Sequence, residues 1–131
     1  MVSVEGTVST IEIFPEFEEG LYLIEKLKEL DVIFLFDRSE GFDLKLHPRG
    51  DPDIPLAGVF GTRSPRRPNP LGLTRARLLE VKERMIKVEG LDALPDTPVI
   101  DIKGAVGKEF SWSSLKKTPG TARPALRQAH K

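Results

Sequence analysis

Between positions 58 and 79 the chain carries five arginines, Arg63, Arg66, Arg67, Arg75 and Arg77, and no acid. Arg63 stands just before the stretch SPRRPNP, Ser64 to Pro70, which holds three prolines, two arginines and Asn69 in seven residues. A guanidinium is planar, permanently charged and forked, so it suits phosphate or carboxylate. Proline fixes φ and biases its predecessor toward extended geometry. Pro65, Pro68 and Pro70 therefore order the backbone before any anion arrives, which lowers the ordering cost of binding. Asn69 adds a donor and an acceptor fit to read a base or sugar edge. Arg75 and Arg77, two apart on a strand, point to one face. The competing arrangement is an extended loop whose arginines pair with the acidic N-terminal half of the chain. An uninterrupted arginine cluster on a preset backbone favours an anion-recognition edge.

A second group lies in VEGLDALPDTPVIDIK, positions 88 to 103, where Asp92, Asp96 and Asp101 are separated by turn residues. A carboxylate there could bind ribose hydroxyls or a cationic group, or take a proton from a reacting nitrogen. It could equally serve turn chemistry, since aspartate before Thr-Pro is a frequent turn former. His47 and His130 are far apart and the chain has no cysteine, so no metal site, disulfide or cysteine nucleophile is expected. No phosphate-binding Walker loop, dinucleotide fingerprint or nucleophile elbow is present.

The elements that must hold these groups are mostly short strands. VSVEGTVSTIEIF, positions 2 to 14, alternates as one or two strands. In PEFEEGLYLIEKLKEL, positions 15 to 30, the period changes. Phe17, Leu21, Ile24 and Leu27 fall on one helical face, with Pro15 suited to the first turn and three glutamates near the positive helix end. VIFLF (32 to 36) reads as a buried strand, DLKLH (43 to 47) alternates briefly, and PRGDPDIP is a loop. AGVFGT, LTRARLLEV, RMIKVEG and TPVIDIK follow as four strand candidates. Seven or so strands and one helix near the N-terminus predict a mainly β, barrel-like fold. Beyond Gly107 the apolar pattern fades, which divides the chain into a β domain over 1–106 and a basic C-terminal extension over 107–131.

At 131 residues, with 39% apolar and 31% charged side chains, one domain can bury a core unaided. The zero net charge conceals a gradient. Residues 1–57 hold 13 acids and 5 bases, residues 58–102 hold 6 and 8, and residues 103–131 hold 1 and 7. The C-terminal half can therefore face a polyanion, or its tail can simply be solvated. No run is long enough to span a membrane and no signal-peptide pattern opens the chain, so the expected address is cytoplasmic.

GVFGTRSPRRPNPLGL, followed by LEV, IKVEGLDAL and TPVIDIK, resembles the TsaA-like family, also called TrmO, of tRNA methyltransferases. IEIFPEFEEGL and VIFLFDR resemble its second strand, helix and following strand, so the likeness covers roughly residues 2–103. The resemblance implies a β-barrel, usually dimeric, that binds S-adenosylmethionine and methylates the exocyclic nitrogen of threonylcarbamoyl-adenosine beside the tRNA anticodon. It implies cofactor contacts from Asp37, Arg38, Arg63, Leu73, Glu89, Gly90, Leu91 and Asp92, with Arg66, Arg67 and Asn69 facing the RNA. On the spacing of the arginines alone, Arg75 and Arg77 are expected to join that RNA-facing set. Asp92, Asp96 and Asp101 are the candidates for a base. The family's Pro-Arg-Gln loop between the first two strands is missing, because VEGTVST runs almost directly into IEIF. The family's His after its apolar strand is Asp37 here, its Ser-His pair is Lys28-Glu29, its Asp-Gly-Thr-Pro is Pro95-Asp96-Thr97-Pro98, and its Lys-Pro-Tyr is Lys103-Gly104-Ala105. Two further functions fit the same residues: a non-catalytic RNA- or nucleotide-binding module that has lost the cofactor, and a methyltransferase for a small anionic acceptor. Phe110 and Trp112 could pack across a dimer partner or close the domain's own end.

Overall fold

In a computed structural model the chain is described over residues 2–106 and 110–116. Eight strands form: β1 (Val2–Glu5), β2 (Val8–Glu12), β3 (Glu29–Leu35), β4 (Lys45–Leu46), β5 (Ala57–Gly58), β6 (Leu71–Lys82), β7 (Met85–Glu89) and β8 (Val99–Ala105). Six of them make one antiparallel sheet in the order β1-β2-β7-β6-β3-β8, and β4 pairs only with β5. The fold is thus mainly β, as the sequence predicts, but the sheet is open. Among the described residues, strands β1 and β8 are the sheet's edges, and Asp96 N–H, ahead of β8, donates to the Val2 carbonyl of β1 at 2.6 Å.

Alternation decides which face is buried. In β3, Leu30, Val32 and Phe34 are buried and the residues between them only half so. Ile86 and Val88 of β7 are fully buried and pair with Ile11 and Ser9 of β2. Burying one such side chain stabilises by about 1.5–3 kcal/mol, so a one-residue slip, which would turn the whole set outward, is heavily disfavoured. The core is completed by Val2, Leu27, Ala76 and Leu91, with Phe110 packed partly against it.

The stretch 15–30 departs from a single amphipathic helix. Pro15–Leu21 and Ile24–Lys26 form two 3₁₀ segments, and β3 already begins at Glu29. Leu23 between them has φ 67, a left-handed conformation that interrupts any continuous helix. Only Leu27 of the expected apolar face is buried, while Phe17 is 63% exposed. The hairpin β1–β2 turns through Gly6 and Thr7 alone, with Gly6 at φ 64, so nothing is inserted between these strands.

Of the C-terminal extension, 107–109 and 117–131, with His130, lie outside the described residues. Trp112–Leu115 forms a 3₁₀ turn whose Trp112 ring meets Phe110 edge-on at 4.8 Å. Phe110 therefore packs on its own domain.

Candidate functional site: a hollow at an unpaired strand edge

Strand β6 is paired unevenly. Leu71 to Arg77 pair with β3 along one side, but β7 meets β6 only from Arg77 to Lys82. After Glu89 the chain turns away at Gly90, whose φ is 91 and whose N–H donates to the Thr7 carbonyl. Among the described residues, no strand pairs with the other side of Leu71–Ala76. A hollow of about 540 Å³ opens there, lined by Phe34, Phe36, Phe60, Thr62, Arg63, Arg67, Asn69, Leu71–Thr74 and Asp92. Arg63 donates from Nη2 to the Leu73 carbonyl and so occupies one acceptor of the bare edge. In an antiparallel strand a residue's N–H and C=O leave on the same side, so the Leu73 N–H faces the hollow as well.

The floor is aromatic. Phe34 and Phe36 meet edge-to-face at 5.2 Å between ring centroids. Gly72 lies directly against them: a Cβ at this position would stand 2.5 Å from Phe34 Cζ and 2.9 Å from Phe36 Cζ. A second hollow of about 370 Å³ adjoins the first, with Leu35, Asp37, Arg38, Ser39, Pro65, Ala93, Leu94 and Thr97 in its wall. Phe34, Phe36 and Asp92 line both. Arg38 is held by donation to the Pro95 carbonyl at 2.8 Å.

Five of the eight expected cofactor residues therefore meet: Asp37, Arg38, Arg63, Leu73 and Asp92. Glu89, Gly90 and Leu91 line neither hollow. Glu89 is ion-paired to Arg77, Gly90 makes the turn that releases the chain from the sheet, and Leu91 is buried in the core. The three aspartates separate sharply. Asp92 stands between the hollows, and none of the ion pairs among the described residues uses it. Asp96 occupies a turn at φ 65. Asp101 lines a third hollow of about 460 Å³ with Ile13, Phe14 and Ile100, and its carboxylate approaches Lys103 at 3.5 Å.

The arginines divide too. Arg67 lies at the first hollow and braces its loop, donating from Nη1 to the Thr62 and Ser64 carbonyls at 2.8 and 3.3 Å. Asn69 shares that rim. Arg66 pairs with Asp43 at 2.8 Å and donates to the Glu40 carbonyl at 2.7 Å. Arg75 grips Asp31 of β3, its cross-strand neighbour, with bonds of 2.9 and 3.1 Å, and Arg77 meets Glu89 of β7 at 2.6 Å. Pairing with the acidic N-terminal part, the alternative weighed from the sequence, is thus realised for Arg66 and Arg75, while Arg77 pairs instead with Glu89 of β7. All three side chains nonetheless remain about half exposed or more.

These bonds shift the carboxyls. Hydrogen bonding from Arg75, Arg66 and Arg77 holds Asp31, Asp43 and Glu89 respectively below the ordinary carboxylate range. Arg66 and Arg75 are raised in turn by the bonds to Asp43 and Asp31. His47 is engaged in its loop, its Nδ1 lying 2.6 Å from the Ile54 carbonyl.

Phe34, Phe36, Phe60 and Gly72 belong to the site without having been singled out in the sequence. The apolar run VIFLF carries the signal for the first two, since residues two apart on a strand share a face.

An aromatic floor, bare backbone donors and a ring of arginine, asparagine and aspartate give this β domain a hollow with the character of a small-molecule pocket and a rim whose chemistry suits an anion. The chain belongs to the tRNA-methyltransferase O N-terminal domain family, whose model matches residues 2–108. It is 52% identical over 93 residues to a "Probable S-adenosyl-L-methionine-binding protein" of Archaeoglobus fulgidus, covering 71% of this chain and 25% of that one. It is 38% identical over 123 residues to the human "tRNA (adenine(37)-N6)-methyltransferase", covering 83% of this chain and 28% of that one. A crystal structure of TrmO from Pseudomonas aeruginosa superposes with a TM-score of 0.60 at 28% identity, over 91% of this chain and 50% of that one. The chain thus spans a quarter to a half of these proteins.

Proposed function

We propose that the domain binds S-adenosylmethionine across the two joined hollows and methylates the exocyclic nitrogen of threonylcarbamoyl-adenosine in the tRNA anticodon loop. The observation that carries this is the convergence of Arg63, Leu73, Asp92, Arg67 and Asn69 at the unpaired edge of β6. The names of the Archaeoglobus and human relatives support it.

The residues fit the cofactor. Phe34 and Phe36 give the first hollow an apolar aromatic floor suited to a purine, and Gly72 leaves the room that these two rings occupy. Arg38 and Arg63 suit a carboxylate, while Asp37 and Asp92 suit ribose hydroxyls, an ammonium or a sulfonium. When bound, the cofactor supplies a methyl group already activated on sulfur, so the protein's task is mainly alignment. Asp92, common to both hollows, faces the place where donor and acceptor meet and takes the proton that the nitrogen loses. Arg67 and Asn69 hold the acceptor's phosphates or its threonyl carboxylate at the mouth.

The test is incubation with labelled S-adenosylmethionine and tRNA bearing the threonylcarbamoyl group. Label in the RNA is expected. Unlabelled RNA, under conditions in which a full-length TrmO works, would overturn the proposal. The two-residue turn between β1 and β2 favours a second reading, an RNA-binding module without a cofactor, because nothing inserted there can reach the hollow. Calorimetry separates the two: that module binds RNA in a salt-sensitive way and takes up no S-adenosylmethionine.

A further inference from the structure

Three phenylalanines line the first hollow, and they are used differently. Phe34 is 2% exposed and Phe36 partly buried, each packed on the other as the floor. Phe60 is 76% exposed at the mouth. Its backbone is nevertheless tightly held. It lies in the 3₁₀ turn Val59–Gly61, whose Val59 is buried at 1% exposure and anchors the turn. Val59 N–H donates to the Leu44 carbonyl at 2.9 Å, and the Val59 carbonyl accepts from both the N–H and the hydroxyl of Thr62 at 3.0 and 2.9 Å. A ring on a fixed mount that packs so little against its own protein contributes little to folding. It is ready to be covered by something flat.

The neighbours say what kind of flat ligand. Arg63 and Arg67 share the hollow with the ring, and each spends one terminal nitrogen on backbone carbonyls. A guanidinium has five N–H donors, so both retain donors for an anion. Asn69 on the same rim can read a heterocycle edge. A π-faced ring joined to a phosphate matches all three features, and that is a nucleotide. We infer that Phe60 is a stacking platform for the acceptor nucleobase, positioning it over the hollow while Arg67 and Asn69 take its phosphate and edge. The inference rests on the proposed function in taking the acceptor to be RNA. Because the cofactor also carries a purine, the experiment must tell the two purines apart.

Phe60→Trp provides the reporter, since the chain's single tryptophan, Trp112, leaves a small background to subtract from the parent's signal. Adenosine 5′-monophosphate is expected to quench the added indole, and ribose 5-phosphate, which lacks the base, is not. By calorimetry, Phe60→Ala is expected to weaken binding of an anticodon stem-loop RNA about 5- to 150-fold, the range of base–aromatic stacking. Phe60→Tyr and Phe60→Trp keep the parent affinity within about twofold, whereas Phe60→Leu, apolar without a π face, does not. In Phe60→Ala, S-adenosylmethionine affinity falls far less than RNA affinity. Unchanged RNA binding in Phe60→Ala, or equal quenching by ribose 5-phosphate, overturns the platform. So does a parent that binds no RNA. Loss of S-adenosylmethionine affinity in Phe60→Ala, with quenching by that compound, gives the ring to the cofactor and also overturns it. If Phe60→Ala methylates tRNA with the parent's KM, the platform fails and the methyl transfer stands. If the parent methylates nothing while stacking and RNA loss are both seen, the methyl transfer fails and the platform stands.

Discussion

At the scale of single residues, position decides among groups of identical chemistry. Asp92, Asp96 and Asp101 are indistinguishable as side chains, yet only Asp92 reaches the hollows that share the aromatic floor. Asp92→Asn is expected to lower kcat by about 100-fold or more, the usual scale for a lost proton acceptor. Asp101→Asn, in the hollow beside Ile100, is expected to leave the rate near that of the parent. Initial rates of methyl incorporation into tRNA check both, and equal losses would remove Asp92 from its role. Gly72 is decided by space. A methyl group there would meet two rings at 2.5–2.9 Å, and those rings are the floor. Gly72→Ala is expected to cost about 1–3 kcal/mol of stability through overpacking. It should also drive Phe36 into the hollow and cut S-adenosylmethionine affinity by at least about tenfold, more than so modest a destabilisation of a folded protein could cause. Denaturant titration and calorimetry on one preparation measure the two effects separately.

At the scale of elements, turns carry the local strain. The β6–β7 hairpin passes from Lys82 to Met85 through Glu83, whose φ is 55, and Arg84, which donates to the Ile13 carbonyl at 2.7 Å. A non-glycine residue in the left-handed region costs about 1–2 kcal/mol, and glycine gives part of that gain back through its freer unfolded chain. Glu83→Gly is therefore expected to stabilise the protein by about 0.5–1 kcal/mol, read as a higher urea midpoint with an unchanged slope. The strands themselves were largely legible, because alternation such as Ile86–Val88 or Val32–Phe34 reports one buried face. The stretch 15–30 was not. Its 3.6-residue spacing is genuine, but Leu23 adopts a left-handed conformation that no composition rule signals, and Leu27 reaches the core from an extended segment. Asp96, set against the glycine of the Asp-Gly-Thr-Pro that the sequence resembles, adopts a φ of 65, a conformation open to glycine without strain. Half of the site was open to the same kind of reading. The arginine–proline loop marks out Arg63, Arg67 and Asn69, which line the hollow, but the hollow itself depends on where β7 stops pairing with β6, a register fact between distant segments.

At the scale of the whole molecule, the opposed charges of the two halves meet in ion pairs that converge on β6 and the loop before it. Asp31 and Asp43 come from the acidic first part, Arg66, Arg75 and Arg77 from the arginine-rich centre, and Glu89 closes the set from β7. All three carboxyls are held below their ordinary pKa in the folded chain, chiefly by arginine hydrogen bonds. A group depressed in this way binds its proton more readily when unfolded. Its contribution to stability is therefore complete above the unfolded pKa, near 4 for a carboxyl, and is lost as pH falls through the lower folded value. Stability should accordingly stay level from neutrality to about pH 5 and fall on the acid side of about pH 4. The fall should be shallow, since exposed pairs contribute little and salt weakens them further. Replacing Arg66, Arg75 and Arg77 together by glutamine returns the three carboxyls to ordinary behaviour in both states, which removes their share of the acid loss. Urea midpoints taken across the acid range at low and high salt test this. An acid slope as steep in the triple variant as in the parent would assign the loss to other carboxyls and leave these pairs with no part in it.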